Sequence, residues 1–202
     1  MFEERQHINK IAPRRLVQGV GVNDAHYPVA YIDGKGKKQS CPYYKVWTGM
    51  LIRCYNKAFH SKRPTYASCT LEPDWLIFSN FKNWMQTQDW KGMQLDKDLL
   101  DWENKHYSPD TCLFIPQSLN NLLTLRRRCG NGLPLGVHRM YTNSSMYYIA
   151  ACSFYGKQVR LGYFKTPEAA AEKYKEAKLK YIKELAEVQK DPRIRQALIN
   201  LH

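Results

Sequence analysis

The run Arg126-Arg127-Arg128-Cys129-Gly130-Asn131-Gly132 sets three adjacent cations before two glycines that favour irregular backbone, so a linker over residues 126–133 is expected between two folding parts. The charge divides at the same place. Residues 126–202 hold fifteen Lys and Arg against six Asp and Glu, a net of +9, whereas residues 1–125 hold sixteen against twelve, a net of +4. The C-terminal part is therefore expected to be the polyanion binder, and the three linker arginines can touch phosphates as well.

The whole chain of 202 residues has a net charge of +13, and 13% of it is aromatic, which is too much buriable surface for a disordered basic tail. Its length suits one or two small domains with real cores. No stretch reaches the roughly 18 consecutive apolar residues of a membrane span, and MFEERQHINK has no apolar segment of the kind that begins a secreted protein. The expectation is a soluble cytoplasmic protein whose field favours nucleic acid first and an anionic membrane second.

Six cysteines, at positions 41, 54, 69, 112, 129 and 152, form no C-x-x-C pair. Reduced, buried thiols are the expected state in a cytoplasmic chain. A structural zinc held by Cys41, Cys54 and Cys69 with His60 or Cys112 is the less favoured alternative, because zinc sites usually show close ligand pairs.

Along the chain, residues 1–40 read as extended pieces turning at Asp33-Gly34-Lys35-Gly36. Residues 41–125 open with two aromatic-rich helices. One follows Pro42 and carries Tyr44, Trp47, Leu51, Cys54 and Tyr55 at three- and four-residue steps; the other follows Glu72-Pro73 and carries Trp75, Phe78, Phe81 and Met85. These aromatics are expected in a core rather than in a ligand box. Residues 94–125 read as a β-hairpin with a long polar loop, then a helix starting at Pro116-Gln117-Ser118 with Leu119, Leu122 and Leu123 on one face.

Residues 134–202 carry three strand-like segments, 136–140, 147–154 and 158–164, and then Thr166-Pro167-Glu168, an N-cap, a first-turn proline and a first-turn acid. Ala170, Tyr174, Ala177, Tyr181, Leu185 and Val188 form one stripe along the helix that follows, with a further short helix near 193–201. A three-stranded sheet covered on one face by that helix leaves its other face open to a ligand. The fold class is α+β in modules: a helical N-terminal region, a hairpin-helix unit, and an antiparallel sheet packed on one long helix.

By strand alternation, Asp96 and Asp98 point one way and Lys97 the other. Two carboxylates beside a helix that carries Asn120 suit an oxygen-ligated hard cation, whereas an exposed, charged hairpin edge is the alternative from spacing alone.

The run Leu95-Asp96-Lys97-Asp98-Leu99-Leu100, then Asn104-Lys105, Tyr107 through Pro116 and Asn120, resembles the ββα-metal core of bacteriophage HNH endonucleases. Gly136-Val137-His138, Tyr148-Ile149-Ala150, Val159 through Phe164 and Thr166 through Ala170 resemble an AP2 DNA-binding domain. Cys41-Pro42-Tyr43 through Trp47, Met50, Arg53-Cys54-Tyr55 and Trp75-Leu76 resemble the N-terminal part of the same phage proteins, so the resemblance spans about residues 17–200.

The resemblance implies a homing-type DNA endonuclease with Mg²⁺ or Mn²⁺ as cofactor, metal ligands at Asp96 and Asn120, and double-stranded DNA as partner. Its general-base histidine position falls on Lys97. An ordinary lysine, with a pKa near ~10.4, is cationic at neutral pH and accepts no proton from water. Lys97 made neutral by burial, Asp98, or His106 from the hairpin loop would each be a substitute base; otherwise the fold persists as a scaffold without cleavage. Lys97, Lys105 or Arg126 to Arg128 would then steady phosphate charge.

The AP2-like part implies DNA contacts at His138, Met140, Ala151, Ser153, Gln158 and Arg160, with Arg139 and Lys157 on phosphates. Several of these are small or apolar where plant members carry arginine and tryptophan, so the plant reading code does not transfer. The alternative to the endonuclease is a sequence-specific DNA-binding regulator that keeps the HNH-like fold.

Overall fold

The computed structural model describes residues 2–5, 14–123, 132–142, 144–154 and 156–201. The expected linker cations Arg126, Arg127 and Arg128 lie outside the described residues, as does Cys129. The fold is mixed α+β with small sheets and, among the described residues, six α-helices. The chain divides into two compact units, Met1–Phe114 and Ile115–His202.

In the first unit, β1 (Ala30–Ile32) and β2 (Lys38–Ser40) pair antiparallel around the expected turn. Asp33 closes that turn by accepting from the backbone N–H groups of Lys35 and Lys37, both at 2.9 Å. Helix α1 (Pro42–Tyr55) begins on its proline and buries Trp47, Met50, Leu51 and Cys54. The short helix α2 (Lys57–Lys62) is capped by the Asn56 side chain, which accepts from the Phe59 N–H.

The helix expected after Glu72-Pro73 is two pieces: a 3₁₀ turn, Pro73–Leu76, and then α3 (Phe78–Gln86), separated by the extended residue Ile77. The break allows Val22 to pair with this segment, as Val22 N–H donates to Leu76 O and Val22 O accepts from Phe78 N–H. Trp75, Phe78, Phe81 and Met85 are nevertheless all buried, and the Trp47 indole donates to the Trp75 carbonyl at 2.7 Å. The aromatics are core.

The hairpin region has an additional partner. Strand β3 (Thr70–Leu71) pairs in parallel with β5 (His106–Tyr107), while β4 (Met93–Asp96) pairs with β6 (Leu113–Pro116). The polar loop between the two hairpin strands is thus anchored in its middle.

In the second unit, α4 (Gln117–Leu123) follows β6 directly and buries Leu119; the side chains of Leu122 and Leu123 lie outside the described residues. Strands β7 (Val137–Tyr141), β8 (Met146–Phe154) and β9 (Lys157–Phe164) form an antiparallel sheet in the order β7-β8-β9. Helix α5 (Pro167–Glu187) covers one face, and Thr166 Oγ1 caps it by accepting from the Ala169 N–H. Val137, Ala150, Cys152, Ala170 and Tyr174 form the sheet–helix core.

The buried stripe of α5 is Ala170, Tyr174, Lys178, Tyr181, Ile182 and Ala186, not the expected set, and Val188 is exposed. The cause is α6 (Pro192–Ile199), which folds back on α5 with Ile194 and Leu198 buried and so covers a wider arc than the sheet alone would. Gly136, at φ +75°, lies so close to Tyr174 that a β-carbon there would fall 2.0 Å from its ring.

The register of β8 and β9 slips once. Ala150 pairs with Gly162 and Ala151 with Arg160, so Leu161 is an extra residue, a β-bulge in β9. Gly162 takes φ +149° at that point.

Candidate functional site

Alternation sorts the sheet into two faces. Val137, Ala150 and Cys152 point to α5. Their neighbours His138, Ile149, Ala151, Gln158 and Arg160 line an open depression of about 340 Å³ on the other face. The register places His138 beside Ile149, Ala151 beside Arg160, and Ser153 beside Gln158. His138, Ser153, Gln158 and Arg160, expected from sequence as DNA contacts, therefore share one exposed surface.

Arg139 and Lys157 have the opposite parity. Arg139 pairs with Tyr148, which packs against the helix-side core, and Lys157 pairs with Phe154, whose ring meets Tyr181 at 4.8 Å between centroids. Both side chains are exposed but have the parity of the helix-covered face, so they do not line the depression.

Two contributors were missed by the sequence reading. Tyr163, 53% exposed, accepts a hydrogen bond from Arg160 Nη1 at 2.6 Å and pairs across the sheet with Ile149. The second is the absence of acid: no Asp or Glu occurs between Asp110 and Glu168, a stretch holding Arg126, Arg127, Arg128, Arg139, Lys157, Arg160 and Lys165. That signal was available in the sequence. An acid-free sheet has no internal carboxylate to neutralise its arginines, which suits a polyanion.

In the first unit, the expectation that Asp96 and Asp98 share a strand face is corrected, because β4 ends at Asp96. Asp96 Oδ1 turns back to accept from the N–H groups of Asp98 at 3.0 Å and Leu99 at 2.8 Å. Burial raises the Asp96 pKa above the ordinary carboxylate range, with the two N–H donors opposing.

Lys97 is 4% exposed; it pairs with the Asp98 carboxylate and donates to the Asn104 carbonyl at 2.8 Å. Its amine is committed to holding the loop. Asn104 completes the lock, donating from Nδ2 to the carbonyls of Lys97 at 2.9 Å and His106 at 2.8 Å, while its Oδ1 accepts from the His106 N–H at 2.9 Å. Lys105, beside it, is exposed, and its carbonyl accepts from the Thr70 N–H.

His106 is the imidazole of this cluster, with its side chain 41% exposed. Nδ1 lies 2.9 Å from Thr70 Oγ1, and Nε2 lies 3.7 Å from a Glu72 carboxylate oxygen. The β3–β5 ladder sets this geometry by pairing Thr70 with His106. A hydroxyl and a carboxylate thus each face one nitrogen of an accessible ring. The sequence reading named His106 but not Thr70 or Glu72.

Asp96 belongs to the first unit and Asn120 to the second, and the two donors are of the oxygen type that hard cations take. Among the described residues, no three of His, Cys, Asp and Glu are grouped to hold a metal. Burial pushes the Cys54 and Cys112 thiols up to about 12 and raises Cys69 as well. No described helix is long and apolar enough to cross a membrane.

No protein-family model, no curated protein and no solved structure matches this chain.

Proposed function

We propose that this chain is a DNA endonuclease of the HNH type that holds duplex DNA against the open face of β7–β9 and hydrolyses a phosphodiester at the hairpin around Asp96 and His106. The observation that carries the reading is the convergence of His138, Ser153, Gln158 and Arg160 on one acid-free, exposed sheet surface.

For the cut, Lys97 serves structure and His106 serves chemistry. Lys97 cannot reach for a water proton while its amine holds Asp98 and Asn104. His106 is accessible to solvent, and with its Nδ1 held by Thr70 its Nε2 would take the proton of an attacking water. By the resemblance, Asp96 and Asn120 would each offer an oxygen to a divalent cation, which would supply charge stabilisation at the scissile phosphate. Lys105, exposed next to His106, would steady the phosphate.

The second reading is a DNA-binding regulator that retains this fold without cleavage, and the burial of Lys97 at the family's base position favours it. The two are separated by incubating the full chain with supercoiled plasmid in Mg²⁺, Mn²⁺ or EDTA. Metal-dependent nicking that is lost in Asp96→Ala, Asn120→Ala and His106→Ala is expected. A folded protein that shifts duplex DNA on a gel and leaves it uncut in every metal makes the regulator the function.

A further inference from the structure

We propose that the open sheet face discriminates among DNA sequences, reading a guanine through Arg160 held in place by Tyr163, and an adenine through Gln158. The inference rests on the duplex-DNA reading above and names which bases that surface selects.

The bulge at Leu161 is the starting point. In a regular strand, positions 160 and 163, three residues apart, would face opposite sides of β9; the bulge takes Leu161 out of the ladder, so both side chains stand on the open face. The Tyr163 hydroxyl takes one N–H of Arg160 at 2.6 Å, and its ring centroid lies 5.5 Å from the guanidinium carbon. One contact fixes the distance and the other the tilt, so the most flexible side chain on the face is pre-positioned. Of the five N–H groups in the guanidinium fork, one is spent on Tyr163, which leaves a parallel pair for guanine O6 and N7. The partner of Arg160 is a phenol and not a carboxylate, so the contact forms no ion pair that would compete with the nucleic acid.

Gln158 stands on the same face two residues earlier and pairs with Ser153. Two residues of strand span ~7 Å, which matches two base steps of ~3.4 Å each. A glutamine amide offers one donor and one acceptor, the complement of adenine N7 and N6. Opposite Arg160 stands Ala151, whose short side chain keeps the depression open, and opposite Tyr163 stands Ile149. Together they form an apolar floor suited to a thymine methyl.

The test is selection of a randomised duplex pool by the full chain, followed by binding measurements on the selected duplex with Arg160→Lys, Tyr163→Phe and Gln158→Glu. The expected selected sites carry guanine and adenine two steps apart. Arg160→Lys keeps the charge but not the fork, so duplex binding persists while the preference for guanine falls by about tenfold or more. Tyr163→Phe weakens the same preference and leaves the salt dependence unchanged. Gln158→Glu exchanges adenine for cytosine at its position.

Duplex binding without base preference, or a guanine preference that survives Arg160→Lys, overturns the inference and leaves the proposed function standing. Tighter binding of single strands, with bases stacked on the exposed Tyr163, overturns it as well. Failure to bind either form defeats the proposed function itself. Circular dichroism of each variant verifies the fold, and if Tyr163→Phe does not fold, the other two variants decide.

Discussion

Lys97 and Asn104 hold each other twice: the lysine amine donates to the Asn104 carbonyl at 2.8 Å, and the Asn104 side-chain amide donates back to the Lys97 carbonyl at 2.9 Å. The same amide reaches the His106 carbonyl, so one asparagine ties the end of β4 to the start of β5. Asn104→Ala removes the side-chain bonds to the Lys97 carbonyl and to the His106 carbonyl and N–H, leaving those groups partly or wholly shielded from water, while the Lys97 amine keeps its bond to the backbone carbonyl at position 104. A loss of about 2–3 kcal/mol is expected, read as a lower thermal midpoint, with His106 displaced and any cleavage reduced beyond what the stability loss explains. An unchanged midpoint would falsify the lock.

Lys178 is buried in the sheet–helix core with its amine donating to the Tyr174 hydroxyl at 3.1 Å, and burial holds its pKa at about 8 instead of 10.5. Between about 8 and 10.5 the unfolded chain binds the proton and the folded chain does not, so this group makes stability rise with pH across that window. Below about 8 its full cost is present. Lys178→Met is expected to stabilise the protein by about 1–3 kcal/mol at neutral pH and to remove this rise, compared by chemical denaturation at several pH values. Equal stability of the two proteins at pH 7 would show that the amine is not strained by burial.

Gly136→Ala places a β-carbon against the Tyr174 ring at a backbone φ of +75°. The conformation alone costs an L-residue about 1–2 kcal/mol, and the clash forces the tyrosine out of the core as well. A drop of at least 2 kcal/mol is expected, whereas Gly34→Ala, in a turn with open space around it, is expected to be nearly silent.

On the proposed reading Arg139 and Lys157 would contact phosphates and not bases, since neither side chain shares the parity of the depression. Each change to alanine is expected to lower the slope of log K against log salt by about one and to weaken binding to all sequences alike. A sequence-dependent loss in either variant would instead put that side chain inside the reading surface.

Local chemistry made much of this fold legible. The Thr166 cap and first-turn proline marked α5, and the three- and four-residue spacing of Trp47, Leu51 and Cys54 marked α1. The resemblance to AP2 domains pointed to His138, Gln158 and Arg160, and the strand pairing puts them on one face. What the sequence hid depends on distant partners. The two-residue ladder joining Thr70 to His106 spans 36 positions and has no hydrophobic period of its own. The end of β4 at Asp96 is set by a carboxylate capturing its own backbone, which no alternation rule anticipates. The stripe of α5 shifted because α6 returned to cover it, and local spacing carries no record of that return.

Leu161 also limits how such a surface can diversify. Substitutions along β9 change which chemical groups are displayed, but the count of ladder residues between Arg160 and Tyr163 decides whether they are displayed together at all. Drawing the strand straight with Leu161 kept in the ladder would turn either the arginine side or the tyrosine side inward, with composition and charge untouched, whereas losing Leu161 would leave Arg160 and Tyr163 two apart and together on one face of a regular strand. The bulge itself, rather than any one side chain, joins the two groups, so changes that shift it are the large steps available to this protein's descendants, and substitutions that leave it in place the small ones.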